Sequence, residues 1–173
     1  MSRYVKWSRI QAQAAVCALW IAPLACAQGS YDVLANKTIT VRTVAEVETR
    51  VSQNGHEAIK LGPADRVVPG DQVIYTLEIR NTAAAEVPAP SVSYRIPDHM
   101  RYVGDSAAGP GAEVSYSIDG GRTFDRPENL KVAGPSGEQL AATAADYTHI
   151  RWQLKHSLKG NSVAFARFRA VVK

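Results

Sequence analysis

Cysteine is almost missing from this chain: Cys17 and Cys26 are the only two, and both precede Ala27. That excludes a disulfide-stapled scaffold. It also leaves residues 28–173 without a thiolate for a metal site or for nucleophilic catalysis. Long apolar runs are scarce as well. The most apolar stretch, from Ala14 to Ala27, falls short of the about 20 residues that a membrane-spanning helix needs. Phosphate-cradling and nucleophile signatures are missing too: there is no P-loop, no dinucleotide fingerprint and no G-x-S-x-G elbow. What is present is ordinary for a globular chain. Hydrophobic residues make up 46% and charged residues 21%, which argues against a disordered protein, a collagen-like fibre or a multi-span membrane protein.

The N-terminus reads as a targeting segment. Arg3, Lys6 and Arg9 precede the apolar stretch, no acid accompanies them, and the stretch ends Ala25-Cys26-Ala27. This basic, apolar, small-x-small order is that of a secretory signal cut before Gln28. A bacterial lipidation box at Cys26 competes, but Pro23 occupies the place where that box wants an aliphatic residue. Residues 1–27 are therefore expected to leave, residues 28–36 to form a flexible leader, and residues 37–173 to form a single domain without a transmembrane span. The segment up to Ala27 carries three of the 20 cations and none of the 16 acids, so 17 cations and 16 acids remain, a net charge of +1. The basicity of the whole chain belongs largely to the signal, and no nucleic-acid partner is expected.

From Thr38 onward the pattern alternates with period two. Val47, Thr49 and Val51 oppose Glu46, Glu48 and Arg50, and Asn54-Gly55 follows as a hairpin signal with Ile59–Leu61 as an edge return strand. In "QVIYTLEIRN" Val73, Tyr75, Leu77 and Ile79 form an inner face. Val92, Tyr94 and Ile96 line another strand, Val114, Tyr116 and Ile118 the next, and Ile150, Trp152 and Leu154 a fourth. A short strand is expected at 101–103, a long loop at 133–147 with one helical turn near 139–142, and a central strand in "VAFARFRAVV". Seven to nine short strands with turn signals about every ten residues predict an all-β antiparallel sandwich.

Two local motifs stand out. Pro69-Gly70-Asp71, Tyr75, Asn81-Thr82, Ile96-Pro97 and Tyr102-Val103-x-x-Ser106 resemble the conserved-repeat domain known as DUF11, found in bacterial and archaeal surface proteins. The resemblance covers residues 67–107 and implies an immunoglobulin-like fold without catalytic residues. Family members often carry the domain in tandem, and here it occurs once. The physical role of Pro69, Gly70 and Asp71 is to reverse the chain, and Asn81 closes the strand end through a side-chain bond to the backbone. Ser117, Asp119, Gly121, Thr123 and Phe124 match the Asp-box, S-x-D-x-G-x-T-[WF]. It resembles the hairpin that recurs in sialidase propellers. One copy cannot build a propeller, so the motif reads as a capped β-turn, with calcium or sugar binding as the competing role.

Four histidines, His56, His99, His149 and His156, lack metal-site spacing, and no catalytic, metal or cofactor residue is assigned. Arg151, Lys155, Lys159, Arg167, Arg169 and Lys173 run to the C-terminus with no acid among them. They read either as a stripe for anionic lipid or polyanionic glycan, or as solvated faces balanced by Glu46, Glu48 and Glu78. The expectation is an exported, non-catalytic structural or protein-interaction module, periplasmic, extracellular or on the cell surface. Its partner would be another envelope or surface protein. The alternative is a carbohydrate- or polyanion-binding module, in which Trp152, Tyr102 or Tyr147 would stack on sugar. Burial of those rings discriminates between the two.

Overall fold

Among the described residues, strand periodicity is realised as eleven strands in antiparallel ladders. The computed structural model describes residues 31–34, 38–53 and 56–173. The expected signal, residues 1–27, and the Asn54-Gly55 turn lie outside the described residues, as does the rest of the expected leader except for residues 31–34. The strands are β1 (Tyr31–Leu34), β2 (Ile39–Gln53), β3 (His56–Pro63), β4 (Gln72–Asn81), β5 (Ser91–Arg95), β6 (Met100–Tyr102), β7 (Ala112–Ser117), β8 (Lys131–Ala133), β9 (Gln139–Ala141), β10 (His149–Leu154) and β11 (Val163–Val172). A four-stranded sheet runs β1-β5-β10-β7 and a five-stranded sheet β3-β2-β4-β11-β6, with β8 and β9 as a separate two-stranded ribbon. No helix among the described residues is long and apolar enough to cross a membrane.

The two larger sheets are packed face to face through the residues that alternation marks as inner. Leu77 and Ile79 on β4, Val92 on β5, Ile150 and Trp152 on β10, and Phe168 and Ala170 on β11 are all fully buried. Rings bridge the layers: Tyr94 of one sheet lies 5.5 Å from Phe168 of the other, and Trp152 lies 6.2 Å from the same ring. This is the all-β antiparallel sandwich expected from the period-two pattern, with nine strands in its two main layers. β11 is central, between β4 and β6.

Two expectations are corrected. Tyr31–Leu34, read as leader, is a strand: Tyr31 pairs with Tyr94 and Leu34 with Ser91, so the sheet begins before residue 37. A strand this short shows no apolar period, and its ladder comes from pairing with β5, far along the chain. The helical turn near 139–142 is absent. Gln139–Ala141 instead pairs with Lys131–Ala133 across a turn in which Gly137 adopts φ +83. The only helical turn among the described residues is a 3-10 turn at Pro127–Asn129, set by a proline at its start.

The length of β2 comes from its two unequal ladders. Its pairing with β4 runs from Ile39↔Asn81 to Val47↔Val73, while its pairing with β3 runs from Glu46↔Pro63 to Gln53↔His56. Among the described residues, 48–53 therefore pair with β3 alone. β2 and β3 project past the end of β4 as a two-stranded arm, and β3 forms the edge of the sheet.

Candidate functional site

The sequence motifs become three pieces of architecture. In the first, Gly70 takes φ +97 and the Asp71 amide donates to the Val68 carbonyl at 3.0 Å. This is a type II turn, with proline presetting one residue and glycine supplying the positive φ. The Asp71 carboxylate closes it by accepting from the Val68 amide at 2.8 Å. In the second, Asn81 is fully buried. Its amide nitrogen donates to the carbonyls of Ala85, Leu158 and Lys159 at 2.8–3.1 Å, and its carbonyl oxygen accepts from the Ala83 amide at 3.0 Å. Asn81 ties its own loop to the β10–β11 connection, a tertiary role beyond the local strand closure expected of it.

The third is the Asp-box hairpin. Gly120 and Gly121 turn the chain at φ +79 and +86. The Asp119 carboxylate accepts from the Arg122 and Thr123 amides at 3.0 Å, from the Thr123 hydroxyl at 2.7 Å and from the Ser117 hydroxyl at 2.7 Å. These donors hold its pKa well below the ordinary carboxylate range, the Thr123 amide contributing most. The Ser117 oxygen in turn accepts from the Gly121 amide at 2.9 Å. A carboxylate so committed is a capped turn. The motif's aromatic, Phe124, is half-buried and meets two residues of β10: the Arg151 guanidinium carbon lies 3.6 Å from its ring centre, and the His149 ring approaches edge-on at 6.4 Å.

Beside the hairpin, at one end of the sandwich, lies an open cleft of about 400 Å³. Arg95, Asp98, Arg101, Tyr147, His149 and Lys173 line it together with Gly120 of the Asp-box. Arg95 holds both Asp98 oxygens at 2.8 and 2.9 Å, and the Lys173 amine donates to the Asp98 carbonyl at 2.9 Å. Asp146 accepts from the amide and hydroxyl of Thr143, each at 2.7 Å, which lowers its pKa. The cleft's two acids are thus engaged by neighbouring donors. Behind it, Tyr147 stacks on Tyr116 at 4.4 Å, and the Tyr116 and Tyr102 hydroxyls are 3.0 Å apart. Burial, reinforced by the Tyr102 bond, raises the Tyr116 pKa far above its ordinary value.

The proposed sugar platforms are placed unambiguously. Trp152 and Tyr102 are in the core, at 0% and 3% exposure, and can stack on nothing from solvent. Tyr147 remains half-exposed with one face taken by Tyr116. The six C-terminal cations do not form one stripe. Arg151 is on the outer face of the four-stranded sheet, opposite Trp152. Arg167 and Arg169 are on the outer face of the five-stranded sheet, where Arg169 meets Glu48 at 2.8 Å and Gln72 at 3.0 Å. Glu78 is held by Arg80 at 2.6 Å and by Arg42 at 3.9 Å. Among the described residues no group of three or more histidines, cysteines or acids is placed to hold a metal ion.

The cleft and the Arg151–Phe124 contact were not legible in the sequence. Alternation turned Arg151 outward but carried no signal that the ring of a separate hairpin would lie under it. Comparison with protein-family models, with curated proteins and with solved structures finds no match for this chain.

Proposed function

We propose that this chain is an exported, non-catalytic protein-interaction module of the bacterial cell envelope, which engages its partner by main-chain pairing along the β2–β3 arm. The observation that carries the reading is the arm itself: among the described residues β3 has a partner on one side only, and residues 48–53 of β2 extend beyond the reach of β4. An edge of this kind presents unpaired amides and carbonyls that a strand from another chain can complete. An isolated two-stranded ribbon is only marginally stable in water, so pairing would also stabilise the arm.

Other observations support the reading. The basic, apolar, small-x-small N-terminus supports export to the periplasm or beyond. The resemblance of residues 67–107 to DUF11 domains supports a surface or envelope setting. Burial of Trp152 and Tyr102 in the core disfavours the sugar-stacking alternative in which those rings are the platforms.

The test is position-specific crosslinking. A photocrosslinker is placed at exposed Ala58 on the arm, or at exposed Asp105 as a control, and the purified chain is mixed with envelope extract. One stoichiometric protein partner crosslinked from residue 58 and not from residue 105 supports the proposal. Recovery of polysaccharide without protein overturns it.

A further inference from the structure

β11 is synthesised after every other described strand, yet it lies inside the five-stranded sheet, between β4 and β6. Its ladder with β4 runs from Val163↔Arg80 to Val171↔Gln72, along the whole of β4 except Asn81. β6 pairs with β11 and, among the described residues, with no other strand. Without β11 the sheet separates into β3-β2-β4 and a three-residue β6 that has lost its ladder.

The same strand fastens the loops around it. The Gly70 amide donates to the Val172 carbonyl at 3.0 Å, and the Val172 amide donates to the Asp71 carbonyl at 2.9 Å. The Val103 amide donates to the Arg169 carbonyl at 2.9 Å, and Ala108 and Arg167 exchange two bonds of 2.8 Å. The Arg169 amide donates to the Ser106 hydroxyl at 3.0 Å. The core converges on it as well. Ala166, Phe168 and Ala170 are buried. Tyr75 and Tyr102 from the five-stranded sheet, and Tyr94 and Trp152 from the four-stranded one, all lie 4.8–6.3 Å from the Phe168 ring. A sheet with one apolar face is stable when a second layer covers it, and β11 supplies the middle of that layer.

We propose that β11 is the closing strand of this fold: the strands from β1 to β10 stay open until residues 163–172 are available, and the two sheets then lock together in one step. Pairing between distant segments costs loop-closure entropy before its contacts stabilise anything. Here the segment that completes one sheet, covers the other and centres the aromatic core is the latest to be made. Domains generally fold as units while they are synthesised, and this topology delays that event to the end of β11. For an exported chain the delay has a use. A secretory channel threads extended polypeptide and not a folded sandwich, and the chain remains threadable for as long as its closing strand is missing. That use rests on the export reading given above, whereas the order of closure rests on the topology alone.

The full chain, followed by a flexible tether and a translation-arrest peptide, is halted on the ribosome at a series of tether lengths. Two quantities are read at each length: the rate of protease cleavage of the emerged chain, and the release of arrest by the force of folding. Both are expected to change together, and only once Val172 has left the ribosomal tunnel, with cleavage slowing about tenfold or more as the open population falls. Phe168→Ala is expected to lower this step or abolish it. Phe165→Ala, an exposed position on the same strand, is expected to leave it in place. Protection or force with Leu154 outside the tunnel and β11 still within it would overturn the proposal. So would a loss in Phe165→Ala equal to that in Phe168→Ala. The experiment contains no membrane and no envelope partner, so its failure is distinct from failure of the export reading, which retention of the chain in the cytoplasm of a bacterial host would show.

Discussion

Tyr75 and Phe168 are stacked, with ring centres 4.8 Å apart and planes 6° from parallel, and they are also direct partners in the β4–β11 ladder. One register therefore sets both the backbone pairing and the centre of the core. Tyr94, Tyr102 and Trp152 all lie within 6.3 Å of the same Phe168 ring. A one-residue slip of β11 would turn Phe168 to solvent and the exposed Phe165 inward, so this stack is a register lock as well as a packing contact.

Phe168→Ala is expected to destabilise the fold by about 3–5 kcal/mol, the cost of emptying a buried aromatic site. The measurement is the urea midpoint at unchanged slope. Phe165→Ala, on the outer face of the same strand, is expected to change the midpoint little.

Asn81 and Gly160 hold one joint from its two sides. Asn81→Ala removes a fully buried amide and takes from the Ala85 carbonyl and the Ala83 amide the side chain that pairs them, at an expected cost of about 3 kcal/mol. A Cβ at Gly160 would collide with the Ala84 carbonyl, so Gly160→Ala must push that loop away. Because both act on the same contact, the double variant is expected to fall short of the sum of the singles in a urea-unfolding cycle.

The Asp-box makes stability depend on acid. Folding depresses the Asp119 pKa through the Thr123 amide and hydroxyl and the Ser117 hydroxyl, so the ionised form favours the folded state. That contribution is complete above the unfolded carboxyl pKa of about 3.9, and it is lost as the pH falls from there towards the depressed folded value. Thermal melts of the native chain and of Asp119→Asn are expected to differ near neutral pH and to converge in strong acid. A gap that persists undiminished in acid would show that the carboxylate's charge is irrelevant to the turn.

A chain beginning at Gln28 retains Trp152 as its single tryptophan, and Trp152 is fully buried. Its emission is expected to be blue-shifted and resistant to acrylamide in the native state, and to move red in one step with the loss of β-sheet circular dichroism. Native emission at the solvent-exposed position would contradict a sandwich core centred on β10.

Much of the fold was readable because period two is a local property. Val73, Tyr75, Leu77 and Ile79 face inward for the same reason that Gln72 and Glu78 do not: successive side chains leave a strand on opposite sides. The turns were equally local. Gly70 and Gly121 adopt the positive φ that their motifs require, because a β-turn is decided by its own few residues. Tyr31–Leu34 and Gln139–Ala141 escaped because strands so short display no period and owe their state to a partner's ladder.

The amino-acid sequence alone thus determined which residues turn inward, where the chain reverses and which carboxylate caps the Asp-box, since each depends on neighbours a few positions away. Only the tertiary structure decided that Arg151 lies on Phe124, that the C-terminal cations divide between opposite faces, and that β2 and β3 outrun β4. Those relationships join residues from separate strands, and their energies depend on distance and desolvation in space, which spacing along the chain does not encode.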